Sequence, residues 1–289
     1  MTRLPRSWLG PLLMLTGGTS MYLGAAIAVV LFDRLSPSGV AWMRVTGAAL
    51  VLLACVRPPR SAWRPDRLLL AGTFGLITTG MNVAFYEALA RLPLGTTVAL
   101  EFLGPIVVAA VGSRGRRDLA ALSLAVVGVL LIVDVRWSGT AAGVAFALAA
   151  AACWAGYIVL GKRVAQRGHG IADLTTGFVV AAVVTSPLAL TLGPVFAPGA
   201  PTVGLLVLGL GLGVLSTAVP YALDQVILRD VGRARFALLL ALLPVTAAVI
   251  GFVALGQVPR PAELIGIVAV ATAVAIGSSG RPSAADATP

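Results

Sequence analysis

The chain has 289 residues, of which 58% are hydrophobic and only 11% are charged. A soluble globular domain carries about 25% charged residues; here too little polar surface is available to face water, and lipid is the solvent that resolves the shortage. The net charge of +10 does not mark a nucleic-acid binder, because the basic residues stand in short clusters between long apolar runs, with no basic, aromatic-interleaved face outside them.

In chain order, the apolar runs predict ten transmembrane helices, at 8–31, 38–56, 68–90, 94–112, 119–135, 139–160, 171–193, 202–227, 235–255 and 261–279. A helix needs ~20 apolar residues to cross the ~30 Å hydrocarbon core. The runs are longer than the ~10 residues of a barrel strand and do not alternate, so the expected class is all-α. The first run, behind Arg3 and Arg6, exceeds the 7–15 apolar residues of a signal peptide and reads as a retained helix. Cys55 and Cys153 lie inside apolar runs, and the only histidine, His169, sits in a basic loop. Without CxxC or Cys/His spacing, no metal site, disulfide or cofactor is expected. The small, polar tail, 281–289, is expected to be disordered and cytoplasmic.

Arginine counting orients the chain. With the N-terminus inside, sixteen of the twenty-one basic residues fall in inside segments, four (Arg34, Arg91, Arg136 and Arg260) fall outside, and Arg44 lies within a span. That split predicts both termini in the cytoplasm.

The two halves also resemble each other. At an offset of 139, Leu103-Gly-Pro-Ile-Val-Val-Ala-Ala-Val-Gly112 faces Leu242-Leu-Pro-Val-Thr-Ala-Ala-Val-Ile-Gly251, with Pro105 opposite Pro244. An offset near 130 lays the Trp154–Tyr157 region over the first helix. Five helices per half is odd, so the second half enters from the opposite face. The expected organisation is therefore two inverted five-helix repeats, 1–137 and 138–280, an architecture suited to alternating access.

Three stretches carry a family resemblance. Ala99-Leu-Glu-Phe-Leu-Gly-Pro-Ile-Val-Val-Ala109, Cys153-Trp-Ala-Gly-Tyr-Ile-Val-Leu-Gly-Lys-Arg-Val164 and Pro220-Tyr-Ala-Leu-Asp224 resemble the fourth, sixth and eighth helices of the threonine/homoserine exporter group. That group is part of the EamA-type branch of the drug/metabolite transporter superfamily. The resemblance covers nearly the whole chain. It implies a multi-pass exporter of small metabolites, typically amino acids, in the inner (cell) membrane. Two departures bear on the substrate: Leu243 stands before Pro244 where the family usually has Glu, and Asp224 stands where Glu is expected. Other substrates of the branch stay open: a cationic drug, an aromatic metabolite or a nucleotide-sugar-like anion.

Charged residues inside spans are costly and usually face a cavity or a partner. Arg44 in the second span and Glu101 in the fourth both lie roughly 9–10 Å from the outer face at 1.5 Å per residue. They are expected to form an ion pair, either structural or serving a zwitterion, with Arg44 for a carboxylate and Glu101 for an ammonium group or an exchanged proton. Glu87, near an outer helix end, and Asp224, near an inner one, are gate candidates or snorkelling groups. Asn82, Tyr86, Trp154, Tyr157 and Tyr221 are the further candidate substrate contacts. Pro105 and Pro244 either free carbonyls toward a cavity or serve packing. Gly209-Leu-Gly-Leu-Gly213 contains a GxxxG spacing suited to close helix packing. No intramembrane serine or metalloprotease motif occurs, so the chain does not read as an enzyme, and its short loops argue against a channel. Without a phosphate-binding loop, protons are the expected coupling ion. The expected partners are a small-molecule substrate and the bilayer, with no nucleic acid.

Overall fold

The computed structural model describes residues 6–112, 116–132, 137–166, 170–220, 223, 239–240 and 242–278. Eleven α-helices of eight residues or more occur among them, and no strand. They are α1 (Arg6–Leu31), α2 (Pro37–Val56), α3 (Pro65–Leu89), α4 (Leu94–Glu101), α5 (Leu103–Gly112), α6 (Arg116–Ile132), α7 (Trp137–Gln166), α8 (Gly170–Val184), α9 (Thr202–Gly213), α10 (Leu242–Leu255) and α11 (Pro261–Ser278). Two 3-10 segments, Arg60–Trp63 and Ser186–Phe196, and a π-helical turn, Val214–Ala218, interrupt the series.

Four helices contain stretches long and apolar enough to cross a bilayer: Gly10–Leu31, Pro37–Val56, Pro65–Leu89 and Ala141–Leu160. A fifth stretch, Ala172–Val184, continues into Ser186–Phe196 through a 66° bend. Leu94–Val108, Leu119–Gly128, Thr202–Ala218, Leu242–Leu255 and Pro261–Ile276 are shorter apolar helices. The helix starts are written locally. Ser36 accepts the Gly39 N–H at 3.0 Å ahead of Pro37. At α11, Glu263 reaches back to the Arg260 N–H at 2.8 Å across Pro261.

Two spans expected to be continuous are broken. The run 94–112 divides at Phe102 into α4 and α5. Pro105 has no N–H for the Glu101 carbonyl four residues back, and its ring crowds that carbonyl. A turn at Leu240 stands in the same relation to Pro244. The run 171–193 bends at Thr185, where Pro187 denies Val183 its helical donor.

Packing relies on small residues at helix crossings. A Cβ on Gly75 of α3 would strike the Gly177 carbonyl of α8, and one on Gly177 would strike the Ala71 carbonyl. On α9, Gly213 meets the backbone of Gly47 and Ala48 of α2, and Gly209 meets Met43, while Gly211 faces open space. The GxxxG pair thus packs as expected, and the middle glycine takes no part. Gly104 of α5 lies on Ala151 of α7, Gly18 of α1 on Leu243 of α10, and Gly128 of α6 on Gly266 of α11. Such close approach strengthens dispersion where lipid offers no hydrophobic drive to association.

These crossings recur at a near-constant separation in sequence. Gly177 follows Gly47 by 130 positions and Gly213 follows Gly75 by 138, so the α2–α9 crossing reappears, transposed, as α3–α8. Leu243 follows Gly104 by 139 and Ala151 follows Gly18 by 133, which transposes α1–α10 into α5–α7. Gly128 and Gly266 are 138 apart and meet each other.

Candidate functional site

The interior site begins with a proline. Pro220 follows the π-turn, in which the Val219 N–H reaches the Val214 carbonyl five residues back; having no N–H, Pro220 leaves the next carbonyl in that pattern, Leu215, to take a donor from elsewhere. Arg44 of α2 binds the adjoining carbonyl: Nη2 donates to the Ser216 carbonyl at 2.9 Å, and Nε to the Thr217 hydroxyl at 3.4 Å. Ser20 of α1 donates to the neighbouring Leu215 carbonyl at 2.9 Å, and the Ser216 hydroxyl donates to the Met21 carbonyl at 3.3 Å. The π-turn is thereby tied to α1 and α2 through its backbone. Arg44 is 9% exposed, and its Nη1 donates to none of the described residues.

The guanidinium lies over the Tyr86 ring of α3, 5.6 Å from the centroid, a cation–π distance. Tyr86 is fully buried, with ring contacts to Phe32 and Phe85. Its hydroxyl has no hydrogen-bond partner among the described residues. One turn back on α3, Asn82 donates to the Thr78 carbonyl at 2.9 Å.

Glu101, also 9% exposed, ends α4 where Pro105 breaks the helix. The expected direct ion pair with Arg44 does not form; the two charges lie within electrostatic reach of each other and of Tyr22 on α1. The Ser216 carbonyl and the Thr217 hydroxyl hold the guanidinium on the π-turn instead. The Glu101 carboxylate accepts no hydrogen bond from the described residues. Trp154 of α7 packs edge-on against the adjacent Phe102, with centroids 4.7 Å apart, and Cys153 lies within electrostatic reach of Glu101. Tyr157 sits one turn along α7, against Phe74 at 4.7 Å.

Of the residues anticipated from sequence, Arg44, Tyr86 and Glu101 share one interior region and Trp154 borders it. Asn82 and Tyr157 lie one turn along α3 and α7. Tyr221 and Asp224 lie outside the described residues, as does His169. Three members of the region were not anticipated: Tyr22, Ser216 and Thr217. Their signal is faint but present, since all are polar groups within apolar runs and the last two precede a proline by three or four positions.

Each end of α3 carries its own ionic contact. At one end Glu87 accepts from the Ser38 hydroxyl of α2 at 2.5 Å and pairs with Arg91 at 2.7 Å. Arg91 in turn lies 5.0 Å from the Phe146 centroid on α7. Glu87 is thereby partnered across α2 and α3, and Arg91 carries the contact on to α7. At the other end Arg67 donates through Nε and Nη2 to one oxygen of Asp173 on α8, and their side chains are only 13% and 7% exposed. Asp173→Asn should destabilise the protein by about 1.5–3 kcal/mol, the range for a hydrogen bond to a charged group. Thermal unfolding in detergent checks this, and a midpoint equal to that of the unsubstituted protein would refute it.

The same chain is similar to known proteins over most of its length. The profile of the EamA-like transporter family matches residues 141–278. The threonine/homoserine exporter RhtA of Salmonella typhimurium (strain SL1344) is 34% identical over 282 residues, covering 94% of this chain and 92% of that protein. The threonine/homoserine exporter RhtA of Escherichia coli (strain K12) is 34% identical over 276 residues, with the same coverage. A crystal structure of a protein 20% identical in sequence superposes with a TM-score of 0.58 over 95% of this chain and 96% of its own. That last likeness is one of fold.

Proposed function

Since the chain belongs to the EamA-like transporter family, we propose that it is a secondary transporter exporting small amino acids, threonine and homoserine foremost, by alternating access. One observation carries the reading: Glu101 and Arg44 lie within reach of each other, yet neither neutralises the other directly. Among the described residues, the carboxylate has no donor and the guanidinium Nη1 has no acceptor. A zwitterionic amino acid supplies what both need, its carboxylate to Arg44 and its ammonium to Glu101, as charge-assisted hydrogen bonds. A simple cation would meet the Arg44 charge, and a simple anion would meet Glu101. The amino-acid exporters at 34% identity favour the same choice.

The architecture we infer is ten transmembrane helices in two inverted repeats, 1–137 and 138–280. The transposed crossings and the matching breaks ahead of Pro105 and Pro244 support it. The arginine distribution supports both termini in the cytoplasm, and the exporter relatives support the inner membrane. Glu87 is assigned to the outer mouth and Asp224 to the inner one. Asn82, Trp154, Tyr157 and Tyr221 are assigned to the cavity wall. Protons are the proposed coupling ion, with Glu101, which accepts no hydrogen bond from the described residues, the group that exchanges them.

Purified protein in lipid vesicles tests this directly. Labelled threonine and homoserine should cross at least about tenfold faster than in protein-free vesicles, the factor that 1.4 kcal/mol of barrier represents. The flux should respond to an imposed pH gradient. Transport of a quaternary-ammonium dye with no amino-acid flux would overturn the reading in favour of cation export.

A further inference from the structure

We propose that the Tyr86 hydroxyl recognises a hydroxyl group on the side chain of the transported molecule, so that the closed interior selects hydroxy amino acids over apolar isosteres. The inference rests on the amino-acid reading above and names the residue that sets side-chain preference.

Tyr86 is fully buried, and its ring is held on three sides, by Arg44, Phe32 and Phe85. A phenylalanine could make each of those contacts. The hydroxyl contributes to none of them and has no hydrogen-bond partner among the described residues. Buried polar groups are nearly always satisfied, and leaving one unpaired destabilises the state that buries it.

The position of the hydroxyl gives that penalty a use. The guanidinium over the same ring is the proposed carboxylate anchor, and Glu101 is within its electrostatic reach. An amino acid fixed by its two backbone charges would hold its short side chain near them, beside α3. Closure around threonine gives the tyrosine hydroxyl a partner. Closure around valine, of nearly the same shape, leaves the tyrosine hydroxyl without one. Sites built to hydrogen-bond a substrate hydroxyl reject the analogue that lacks it far more strongly than apolar pockets reject an added hydroxyl. Asn82, one turn away, is bonded to its own helix through its amide nitrogen and leaves this role to Tyr86.

Tyr86→Phe removes one oxygen and keeps the ring. The experiment measures flux of labelled threonine and labelled valine through purified protein in vesicles, for the unsubstituted chain and the variant, together with unfolding midpoints in detergent. The unsubstituted protein should favour threonine. In the variant the threonine-to-valine ratio should fall about tenfold or more, the scale of one lost buried hydrogen bond, through slower threonine flux. The midpoint should hold or rise, because an unsatisfied buried group has gone. An unchanged ratio, or equal losses of both fluxes, overturns the proposal and leaves the amino-acid reading standing. An unsubstituted protein that carries neither amino acid overturns both.

Discussion

Replacing Glu101 with glutamine is expected to stop export while leaving as much folded protein in the membrane as the unsubstituted chain. Glutamine preserves the shape and removes only the charge. Were Glu101 the structural partner of Arg44, its loss would strand a buried cation. The guanidinium is instead held by the Ser216 carbonyl and the Thr217 hydroxyl, so Arg44 remains satisfied without Glu101. Neutralising a carboxylate within a span also relieves an insertion cost of about 2.5–3.5 kcal/mol. Abundance should therefore be unchanged or higher. Substrate loses a charge-assisted contact of about 1.5–3 kcal/mol, tenfold to a hundredfold in affinity, and proton exchange at this position ends altogether. The measurement is export per unit of inserted protein. A fall in abundance that Arg44→Gln restores in the double variant would return the pair to a structural role, and undiminished export would remove Glu101 from the mechanism.

Gly75→Leu should cause the largest loss of folded protein of any single change considered. The position faces the Gly177 carbonyl, and from the other side Gly177 faces the carbonyl of Ala71. Overpacking a core of side chains costs about 1–3 kcal/mol because rotamers can yield. A backbone carbonyl in a helix cannot rotate away, so α3 and α8 must part along the crossing. Parting them also loosens the Arg67–Asp173 contact at one end of the same helix pair. Against a total stability of about 5–15 kcal/mol, the expected result is aggregation on detergent extraction. Size-exclusion chromatography checks it. Gly211→Leu is the matched control, because Gly211 faces open space and should tolerate the side chain. A monodisperse Gly75→Leu protein would show that the crossing can open without loss.

The sequence made the apolar runs legible because lipid demands them in every span. It also carried Pro105 and Pro244, though as kinks in continuous helices; the break at Phe102 depends on whether neighbours hold the helix together, which no local pattern encodes. Arg44 and Glu101 could be singled out by their cost in lipid. Their relation could not, because the true partner of Arg44 is a backbone carbonyl, a group every residue possesses. Pro220 hints only that a carbonyl of the preceding turn stands free. Arg67 and Asp173 escaped for a different reason: at the edge of a span, an arginine reads as a topology marker and an aspartate as a headgroup contact, and their approach depends on how α3 packs on α8. In the same way, the GxxxG pair Gly209/Gly213 announced a close crossing without naming Gly47 as its other side.

The anchoring of Arg44 on the π-turn has an electrical consequence. A guanidinium bonded to the helix backbone stays with the protein scaffold instead of moving with the cargo it binds. A zwitterion adds no net charge of its own. Within the proposed scheme, membrane voltage therefore has little hold on the arginine or on the amino acid. Its leverage, about 2.3 kcal/mol per elementary charge for each 100 mV, falls on whatever ion the Glu101 carboxylate takes up and releases. Current measured during turnover would then count coupling ions, and the voltage at which it vanishes would report their stoichiometry.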